Sequence, residues 1–218
     1  MEISLVITED GSHSLRNEIL DDNYHSMFGA IQESNHVFIK NGFEKIKKQN
    51  IKVLEIGFGT GLNSLLTKVN CELNKKNVVY HAVENIPIEE KIFSKLNYCG
   101  ILKIEKSILN EIHFARWGEE INLSEFFKLK KINIDFNKMS IDEKYDLIYF
   151  DAFSPRKQPE IWEKENFYKL YECLNKNGIL STYSAKGELK RNLKDAGFRV
   201  LAVPGPIGKR EITLACKD

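Results

Sequence analysis

The stretch Leu54–Asn63, LEIGFGTGLN, constrains the fold more than any other part of the chain. An apolar run passes through Glu55 into three alternating glycines, Gly57, Gly59 and Gly61, and a helical pattern follows. Glycine has no Cβ, so a ligand can lie against the backbone at the positive end of the next helix. The stretch therefore predicts a strand, a ligand-binding turn and a helix in succession.

Strand-like and helix-like segments alternate from residue 51 to the end of the chain. Apolar runs predict strands at 51–57, 78–84, 130–136, 145–153 and 179–184. Helical periodicity predicts helices at 62–76, 87–100, 159–178 and 187–198, with Gly178 and Gly197 as helix stops. Two consecutive strands, 199–205 and 211–217, imply an antiparallel pair at one edge. The pattern predicts an α/β doubly wound domain with a mostly parallel sheet.

Two regions depart from this alternation. Residues 1–48 are predicted as an N-terminal extension packed on a main domain of residues 49–218. The extension opens with a β-hairpin of Ile3–Ile7 and Ser14–Ile19 around an Asp-Gly pair, and continues with one or two helices between residues 24 and 48. Residues near 101–127 are predicted as a helical insertion.

Glu84 ends the second core strand and is followed by Asn85. A carboxylate at this distance from the glycines can accept both ribose hydroxyls of a nucleoside cofactor. A dinucleotide fingerprint, G-x-G-x-x-G, would need glycine where Leu62 stands, and the spacing here is instead G-x-G-x-G. Because a glycine-rich loop by itself can be only a tight turn, the prediction of a cofactor site depends on the loop and Glu84 together.

Two aspartates end later strands. Asp151 is expected at the carboxyl edge of the sheet, where ligands of open α/β sheets bind. It could accept a hydrogen bond from a ligand and stabilise positive charge that develops on that ligand. Alternatively it could only receive backbone N–H bonds in the turn at 153–155. Asp135, followed by Phe136, either contacts the ligand or is merely a polar strand end.

The two parts of the chain differ in charge, although Lys and Arg exceed Asp and Glu by only one overall. Residues 1–151 carry a net charge of −4 and residues 152–218 a net charge of +5. Such asymmetry can mark a surface that faces a polyanion, and it can equally be an ordinary solvated surface. The candidate phosphate contacts are Arg156, Lys157, Lys186, Lys190, Arg191, Lys194, Lys209 and Arg210.

The four cysteines have no metal-binding or redox spacing, so no metal is expected. The apolar runs are too short to cross a bilayer, and the N-terminus has no pattern of a signal peptide. We expect a soluble, cytoplasmic protein that acts as a monomer.

Several stretches together resemble one family: LEIGFGTGLNSLL, HAVENIPI, YFDAFSPRKQPEIW, STYSAKGELKRNLKDAGF and GKREI. They are similar to the methyltransferase domain of the MnmC-like bifunctional enzymes, which complete the 5-methylaminomethyl group on tRNA wobble uridines. The resemblance implies a class I S-adenosylmethionine-dependent methyltransferase with a Rossmann-like, mostly parallel sheet of seven strands. It implies methylation of the exocyclic amine of 5-aminomethyl-(2-thio)uridine, with the tRNA anticodon arm as substrate and S-adenosylhomocysteine as product.

The bifunctional enzymes also carry an FAD-dependent oxidoreductase domain, and no sequence after Asp218 encodes one. The resemblance therefore implies a stand-alone methyltransferase, supplied with its aminomethyl substrate by a separate FAD-dependent oxidoreductase or by other upstream enzymes. The family usually has a glycine before the acid of the third core strand, where this chain has Ile134. That departure bears on the adenine-binding role of Asp135.

The resemblance also implies roles for individual residues. Asp151 is the expected catalytic residue. The expected cofactor-binding residues are Glu55, Gly57, Phe58, Gly59, Thr60, Gly61, Asn63, Glu84, Asn85, Asp135, Phe136 and Asp151. The expected substrate-binding residues are Phe153, Pro155, Arg156, Lys157, Tyr183, Lys209 and Arg210. Trp162 or Tyr183 could stack on the uracil, although the apolar neighbours of Trp162 favour a place in a helix core.

Two other functions fit parts of the pattern. An aminopropyltransferase of the spermidine synthase type also uses a glycine loop, a ribose acid and an aspartate beside an amine. Such an enzyme usually has a second acid near the aspartate, where Arg156 and Lys157 stand here. A nucleotide- or tRNA-binding module without catalysis is the third possibility, and the intact glycines, Glu84 and Asp151 argue against it.

Overall fold

The computed structural model describes residues 2–218. Its strands are β1 (Ile3–Ile7), β2 (His13–Asn17), β3 (Asp22–Asn23), β4 (Asn50–Ile56), β5 (Asn77–Glu84), β6 (Glu120–Asn122), β7 (Phe127–Asn133), β8 (Tyr145–Phe150), β9 (Leu174–Thr182), β10 (Arg199–Pro204) and β11 (Glu211–Cys216). Its α-helices are α1 (Ala30–Ser34), α2 (Leu62–Leu73), α3 (Glu90–Phe93), α4 (Tyr98–Leu102), α5 (Ser107–Phe114), α6 (Lys164–Cys173) and α7 (Gly187–Asp195). A π-helical segment at Asn35–Lys40 continues α1.

The main sheet has eight strands in the order β10-β11-β9-β8-β4-β5-β7-β6. Strands β9, β8, β4, β5 and β7 are parallel, and β11 and β10 form the antiparallel pair expected at one edge. The predicted α/β class with a mostly parallel sheet is confirmed. β4 lies between β5 and β8, so the chain order reverses beside it, and open α/β sheets bind ligands at such a switch point.

The region predicted as a helical insertion is helical only in part. α5 covers Ser107–Phe114, but β6 pairs antiparallel with β7 and adds an eighth strand to the seven expected. β7 itself begins at Phe127 and ends at Asn133, three residues earlier at each end than predicted. Asp135 therefore lies beyond the strand, where its side chain accepts a hydrogen bond from the backbone of Asn137.

The predicted helix at 159–178 is also shorter than expected. A 3-10 turn at Pro159–Trp162 precedes α6, and β9 begins directly after α6 at Leu174. Leu174 pairs with Tyr145 on β8, but the next pairing joins Leu147 to Ile179, so the intervening residues form a bulge. Gly178 lies in that bulge rather than at a helix stop.

Apolar side chains cover both faces of the central strands. Along β4, Val53 packs into the core on one face and Leu54 into the core on the other, as expected for a strand buried on both sides. The N-terminal segment shares the first of these cores, and the ring of Phe38 lies 5.1 Å from that of Tyr149 on β8. The buried residues of the N-terminal segment thus pack against the sheet. Among the described residues, no helix combines the length and the apolar character needed to span a membrane.

Candidate active site

A cavity of about 430 Å³ opens at the carboxyl ends of β4, β5 and β8. This volume lies in the usual range for small-molecule sites. Residues at or just beyond the ends of the three strands form one side of it, among them Gly57, Glu84 and Asp151. The N-terminal segment around Tyr24 forms the other side. The cavity therefore lies at the switch point of the sheet, where the sequence predicted a ligand.

The glycine loop needs its glycines because other parts of the chain lie against it. Gly57 has a φ of +93°, and a Cβ there would come within 2.5 Å of the carbonyl oxygen of Asp151. Gly59 has a φ of +49°, and a Cβ there would be 3.2 Å from the ring of Tyr24. L-residues rarely adopt such positive φ values. The loop can therefore touch both the Asp151 strand end and the N-terminal segment while its backbone lines the cavity.

Glu84 is fixed by the backbone around it. One carboxylate oxygen accepts the N–H of Gly59 at 3.0 Å and the other accepts the N–H of Ile86 at 2.9 Å. Burial raises the pKa of Glu84, and these backbone hydrogen bonds partly offset that rise. Each oxygen of a carboxylate can accept a second hydrogen bond, so Glu84 can hold a pair of hydroxyls on the cavity side. Asn85, the next residue, also lines the cavity.

Five predicted cofactor-binding residues do not line the cavity: Glu55, Phe58, Thr60, Gly61 and Asn63. They support the loop from behind, because its alternate residues and the start of α2 point away from the cavity. The carbonyl oxygen of Thr60 accepts a hydrogen bond from Nε2 of His113 at 2.9 Å, and the ring of Phe58 packs edge-on against Trp117. The spacing of the motif located the loop but could not tell which side of it faces a ligand.

Asp135 and Phe136 both line the cavity, together with Ile134 and Asn137. One oxygen of Asp135 accepts the N–H of Asn137 at 3.0 Å and so caps the short turn. Asp135 is thus a cap for the turn and a cavity residue at once, and the two interpretations of this residue do not exclude each other. The ammonium of Lys169 lies 4.2 Å from the centroid of the Phe136 ring and fixes that side chain.

Asp151 lies directly after β8, and its backbone N–H donates to Ile56 on β4 at 2.9 Å. Its Oδ2 accepts a hydrogen bond from the amide of Asn63 at 2.8 Å. Burial raises the pKa of Asp151 to about 7; the charge of Glu33 adds to the rise, while the Asn63 hydrogen bond and Lys209 oppose it. No described N–H in the turn at 153–155 donates to this carboxylate.

That turn is held by other groups. The indole N–H of Trp162 donates to the carbonyl of Phe153 at 2.8 Å, and the hydroxyl of Tyr183 donates to the carbonyl of Ala152 at 2.8 Å. Ser154 donates to Asp22 of the N-terminal segment at 3.0 Å. Asp151 is therefore not needed to hold the turn and remains available to a ligand. Trp162 is buried and lies outside the cavity lining, so it is not placed to stack on a base there.

The N-terminal segment contributes residues that sequence reasoning missed. Glu33 on α1 is buried at the cavity wall, where one oxygen accepts the N–H of Ser26 at 2.7 Å and the other pairs with Lys209. The ring of Tyr24 packs edge-on against Phe153 with centroids 4.9 Å apart. Glu33 lies in a short helix between Gln32 and Ser34, so no apolar pattern in the sequence set it apart.

His25, another residue of the N-terminal segment, joins two parts of the site. Its Nδ1 lies 3.0 Å from the hydroxyl of Ser14, and its Nε2 lies 3.4 Å from that of Thr60. Burial lowers the pKa of His25 to about 4. The imidazole is therefore neutral at physiological pH, and it links the segment to the glycine loop without adding charge.

The predicted substrate-binding residues divide into two groups. Phe153, Tyr183 and Lys209 line the cavity, whereas Pro155, Arg156, Lys157 and Arg210 lie outside its lining. Lys209 is not on an open phosphate-binding surface: its ammonium pairs with Glu33 and lies 4.3 Å from the centroid of the Tyr183 ring. Lys157 is 3.4 Å from Asp21. Arg156 and Arg210 are exposed, and neither forms an ion pair with the described residues.

Residues 104–218, more than half of the chain, match a family model described as S-adenosyl-L-methionine-dependent methyltransferase. The chain belongs to this family. Its cofactor is S-adenosylmethionine, as expected, and the class I methyltransferase fold is confirmed. Within residues 2–218, no group of three or more His, Cys, Asp and Glu side chains is arranged to hold a metal ion.

Curated relatives and solved structures agree with the family. The tRNA 5-methylaminomethyl-2-thiouridine biosynthesis bifunctional protein MnmC of Leptospira interrogans is 29% identical over an alignment of 215 positions, which covers 90% of this chain and 33% of that protein. An uncharacterized protein of Methanocaldococcus jannaschii is 29% identical over 98% of this chain and 59% of its own length. The chain spans about a third of the length of the MnmC relatives that it matches.

Two solved structures are informative about the fold. The crystal structure of MnmC2 from Aquifex aeolicus superposes with a TM-score of 0.79 at 26% identity and covers 98% of this chain and 70% of that one. Spermidine synthase from Thermotoga maritima superposes with a TM-score of 0.56 at 11% identity and covers all of this chain and 79% of that one. The second likeness concerns the fold alone. The resemblance to the methyltransferase part of MnmC is thus confirmed.

Proposed function

We propose that this protein transfers a methyl group from S-adenosylmethionine to the exocyclic amine of 5-aminomethyl-(2-thio)uridine at the wobble position of tRNA. The product is the 5-methylaminomethyl nucleoside. The observation that carries the proposal is Asp151, a carboxylate of raised pKa in a cavity that also contains the ribose-binding candidate Glu84. The similarity to MnmC proteins over about 90% of the chain supports the choice of substrate.

When bound, S-adenosylmethionine supplies a methyl group attached to a positively charged sulfur. The residues that would hold it are those of the cavity wall next to the glycine loop. Glu84 would accept hydrogen bonds from the ribose hydroxyls, since both of its oxygens are already oriented by backbone N–H groups. Asp135 would accept from the adenine amino group, and Ile134 and Phe136 would provide the apolar contact beside it.

Asp151 would act on the acceptor amine, which must be neutral to attack. If the amine has a pKa near that of lysine, proton transfer to a carboxylate of ordinary pKa costs about 9 kcal/mol. With the pKa of Asp151 at about 7, the cost falls to about 5 kcal/mol. Burial therefore makes this carboxylate a much better proton acceptor than an exposed one, in addition to its role in orienting the amine.

The charge of the cavity favours cationic groups. Its acidic lining residues are Asp22, Glu33, Glu84, Asp135, Asp151 and Glu160, and its one lysine is Lys209. Negative charge around the acceptor attracts an aminomethyl group and stabilises the positive charge that develops on its nitrogen. The exposed guanidinium groups of Arg156 and Arg210 lie outside the cavity and would contact phosphates of the anticodon arm, which would make tRNA affinity strongly dependent on salt.

The acidic lining would also suit a polyamine, so the aminopropyltransferase alternative needs a direct comparison. Membership of the methyltransferase family favours methyl transfer. A reaction with decarboxylated S-adenosylmethionine and putrescine should yield no spermidine, whereas S-adenosylmethionine and tRNA should yield methylated nucleoside.

We further propose that the chain acts as a monomer on substrate supplied by an upstream enzyme, an FAD-dependent oxidoreductase or another.

The decisive experiment is nucleoside mass spectrometry of tRNA that carries 5-aminomethyl groups, after incubation with the protein and methyl-labelled S-adenosylmethionine. The expected result is label in the wobble uridine and in no other nucleoside. Asp151→Asn serves as the matched control and should label the tRNA at least roughly 100-fold more slowly while it still binds the cofactor. Label on a different nucleoside, or full labelling by the Asp151→Asn protein, would contradict the proposal.

A further inference from the structure

A second acid lies buried behind Asp151, and a single amide joins the two. Nδ2 of Asn63 donates to Oδ2 of Asp151 at 2.8 Å and to Oε1 of Glu55 at 3.0 Å. Glu55 is completely buried on β4 and does not line the cavity. Both hydrogens of the Asn63 amide nitrogen are therefore used, one on each carboxyl group.

The other polar atoms of this unit show which groups are fixed and which are free. Among the described residues, Oδ1 of Asn63 and Oε2 of Glu55 are buried without a hydrogen-bond partner. Asn63 is the second residue of α2, and its carbonyl oxygen accepts a hydrogen bond from Thr67 at 2.7 Å. Its place is thus set by the helix start. Asp151 Oδ1 accepts no bond from the described residues and is the oxygen left for a ligand.

Two ionised carboxyl groups joined by one amide would repel each other in a site of low dielectric. Glu55 has no contact with solvent, and burial raises its pKa well above the usual value, with Asp151 adding to the rise. Asp151 faces the cavity instead, where an amine can pair with it. Burial therefore favours the neutral form of Glu55, whereas Asp151 is the acid that an amine in the cavity can hold in the ionised form.

We propose that Asn63 is a positioning residue for Asp151, with neutral Glu55 as the anchor for its second N–H. Asn63 holds Oδ2 of Asp151 and thereby turns Oδ1 toward the acceptor amine. The inference deepens the proposed function and depends on it only for the nature of the acceptor. Asn63 was expected to bind the cofactor; here it is instead assigned to the support of the Asp151 carboxylate.

The first test measures the pKa of Asp151 by carboxyl-carbon NMR in the protein without tRNA. Asn63→Ala removes a hydrogen bond to the ionised form, so the Asp151 pKa should rise by roughly one unit. Glu55→Gln keeps a neutral anchor of the same shape and should leave the Asp151 pKa where it is, whereas Glu55→Ala should raise it. The matched control is Asn70→Ala on the same helix, whose amide donates to the carbonyl of Leu66 at 2.8 Å.

The second test separates positioning from cofactor binding. Asn63→Ala should lower kcat for tRNA methylation by roughly 10- to 100-fold and leave the Kd for S-adenosylmethionine within about twofold. Asn70→Ala should leave both unchanged. If Asn63→Ala does not fold, Asn63→Ser, which is too short to reach both acids, replaces it. An unchanged Asp151 pKa in the Asn63 variants, or a large loss of cofactor affinity, would overturn the inference.

Failure of the proposed function would look different. If tRNA is not the substrate, no variant and no wild-type protein methylates it, yet the Asp151 pKa still shifts in Asn63→Ala. If the positioning inference is wrong, wild-type protein methylates tRNA and the pKa does not move. An Asp151 pKa that falls in Glu55→Gln would show that Glu55 is ionised and would likewise contradict the inference.

Discussion

Replacing Asp151 by asparagine should stabilise the protein while it removes the activity. Burial raises the pKa of the Asp151 carboxyl group to about 7 in the folded chain, from an unperturbed value of 3.8, although the residue as a whole is only half-buried at the cavity wall. Between these two values the folded state binds a proton that the unfolded state has lost, so stability falls as the pH rises toward 7. Above pH 7 the folded state bears the whole cost of a buried charge, which an asparagine amide avoids.

The size of the effect follows from the same two values. The penalty at Asp151 amounts to about 1.5 kcal/mol at pH 5 and about 4.5 kcal/mol at pH 8. These are upper limits, because the asparagine side chain leaves its own N–H groups to be solvated. The hydrogen bond from Asn63 can be retained, since the amide oxygen can take the place of Oδ2. Asp151→Asn should therefore gain up to about 3 kcal/mol more at pH 8 than at pH 5.

The assay is urea denaturation of the wild type and of Asp151→Asn at both pH values, without cofactor. Asp195→Asn, an exposed position at the end of α7, is the control and should change the free energy of unfolding by less than about 0.5 kcal/mol. In parallel, kcat should fall by roughly 10²- to 10⁴-fold. A stability change that is the same at the two pH values, or a loss of stability at pH 8, would refute the raised pKa on which the mechanism depends.

Three further variants probe other parts of the site and its support. Glu84→Ala should weaken S-adenosylmethionine binding roughly 10- to 100-fold by calorimetry, while Glu89→Ala, at an exposed position, should not. Gly57→Ala should lower the free energy of unfolding by more than about 2 kcal/mol in a denaturant titration, because the new Cβ would lie 2.5 Å from a backbone oxygen. The control is Gly100→Ala on α4, where a Cβ meets no atom within 4 Å, and this variant should be neutral or stabilising. Lys131 is buried, and burial lowers its pKa from 10.5 to about 8, so the folded state holds fewer protons than the unfolded state between these two pH values. Lys131→Met should therefore be more stable than the wild type at pH 7 by up to about 3 kcal/mol. This difference in the free energy of unfolding should disappear above pH 10.5.

The parts of the site that follow strands were predictable from the sequence. Glu84 and Asp151 each end an apolar run, and in a parallel sheet the carboxyl ends of neighbouring strands meet at one edge. The ligand-binding turn at Gly57, Gly59 and Gly61 was also predictable, because the alternating glycines stand directly between an apolar run and a helical pattern. The strand β6 was not, because its three residues carry no period long enough to distinguish a strand from a helix or loop.

Residues brought in by distant packing could not be predicted. Glu33 reaches the cavity because α1 docks beside the sheet, and its ion pair with Lys209 spans 176 positions of the chain. No local pattern records that contact. For the same reason Lys209 looked like a phosphate contact in a basic segment, whereas its ammonium is taken up by Glu33 and the Tyr183 ring. The charge of a lysine in a sequence does not tell whether its ammonium group is solvated or paired with an acid.

The basicity of Asp151 results from opposed influences that reach it from three parts of the chain. Burial and Glu33 raise its pKa, while Asn63 and Lys209 lower it. Because Lys209 is paired with Glu33, their charges largely cancel at Asp151, so burial remains the main cause of the raised value. Burial in turn depends on the N-terminal segment, which closes the cavity opposite the glycine loop. In the proposed mechanism the N-terminal segment therefore helps to set the proton affinity of Asp151, a residue that it does not contain.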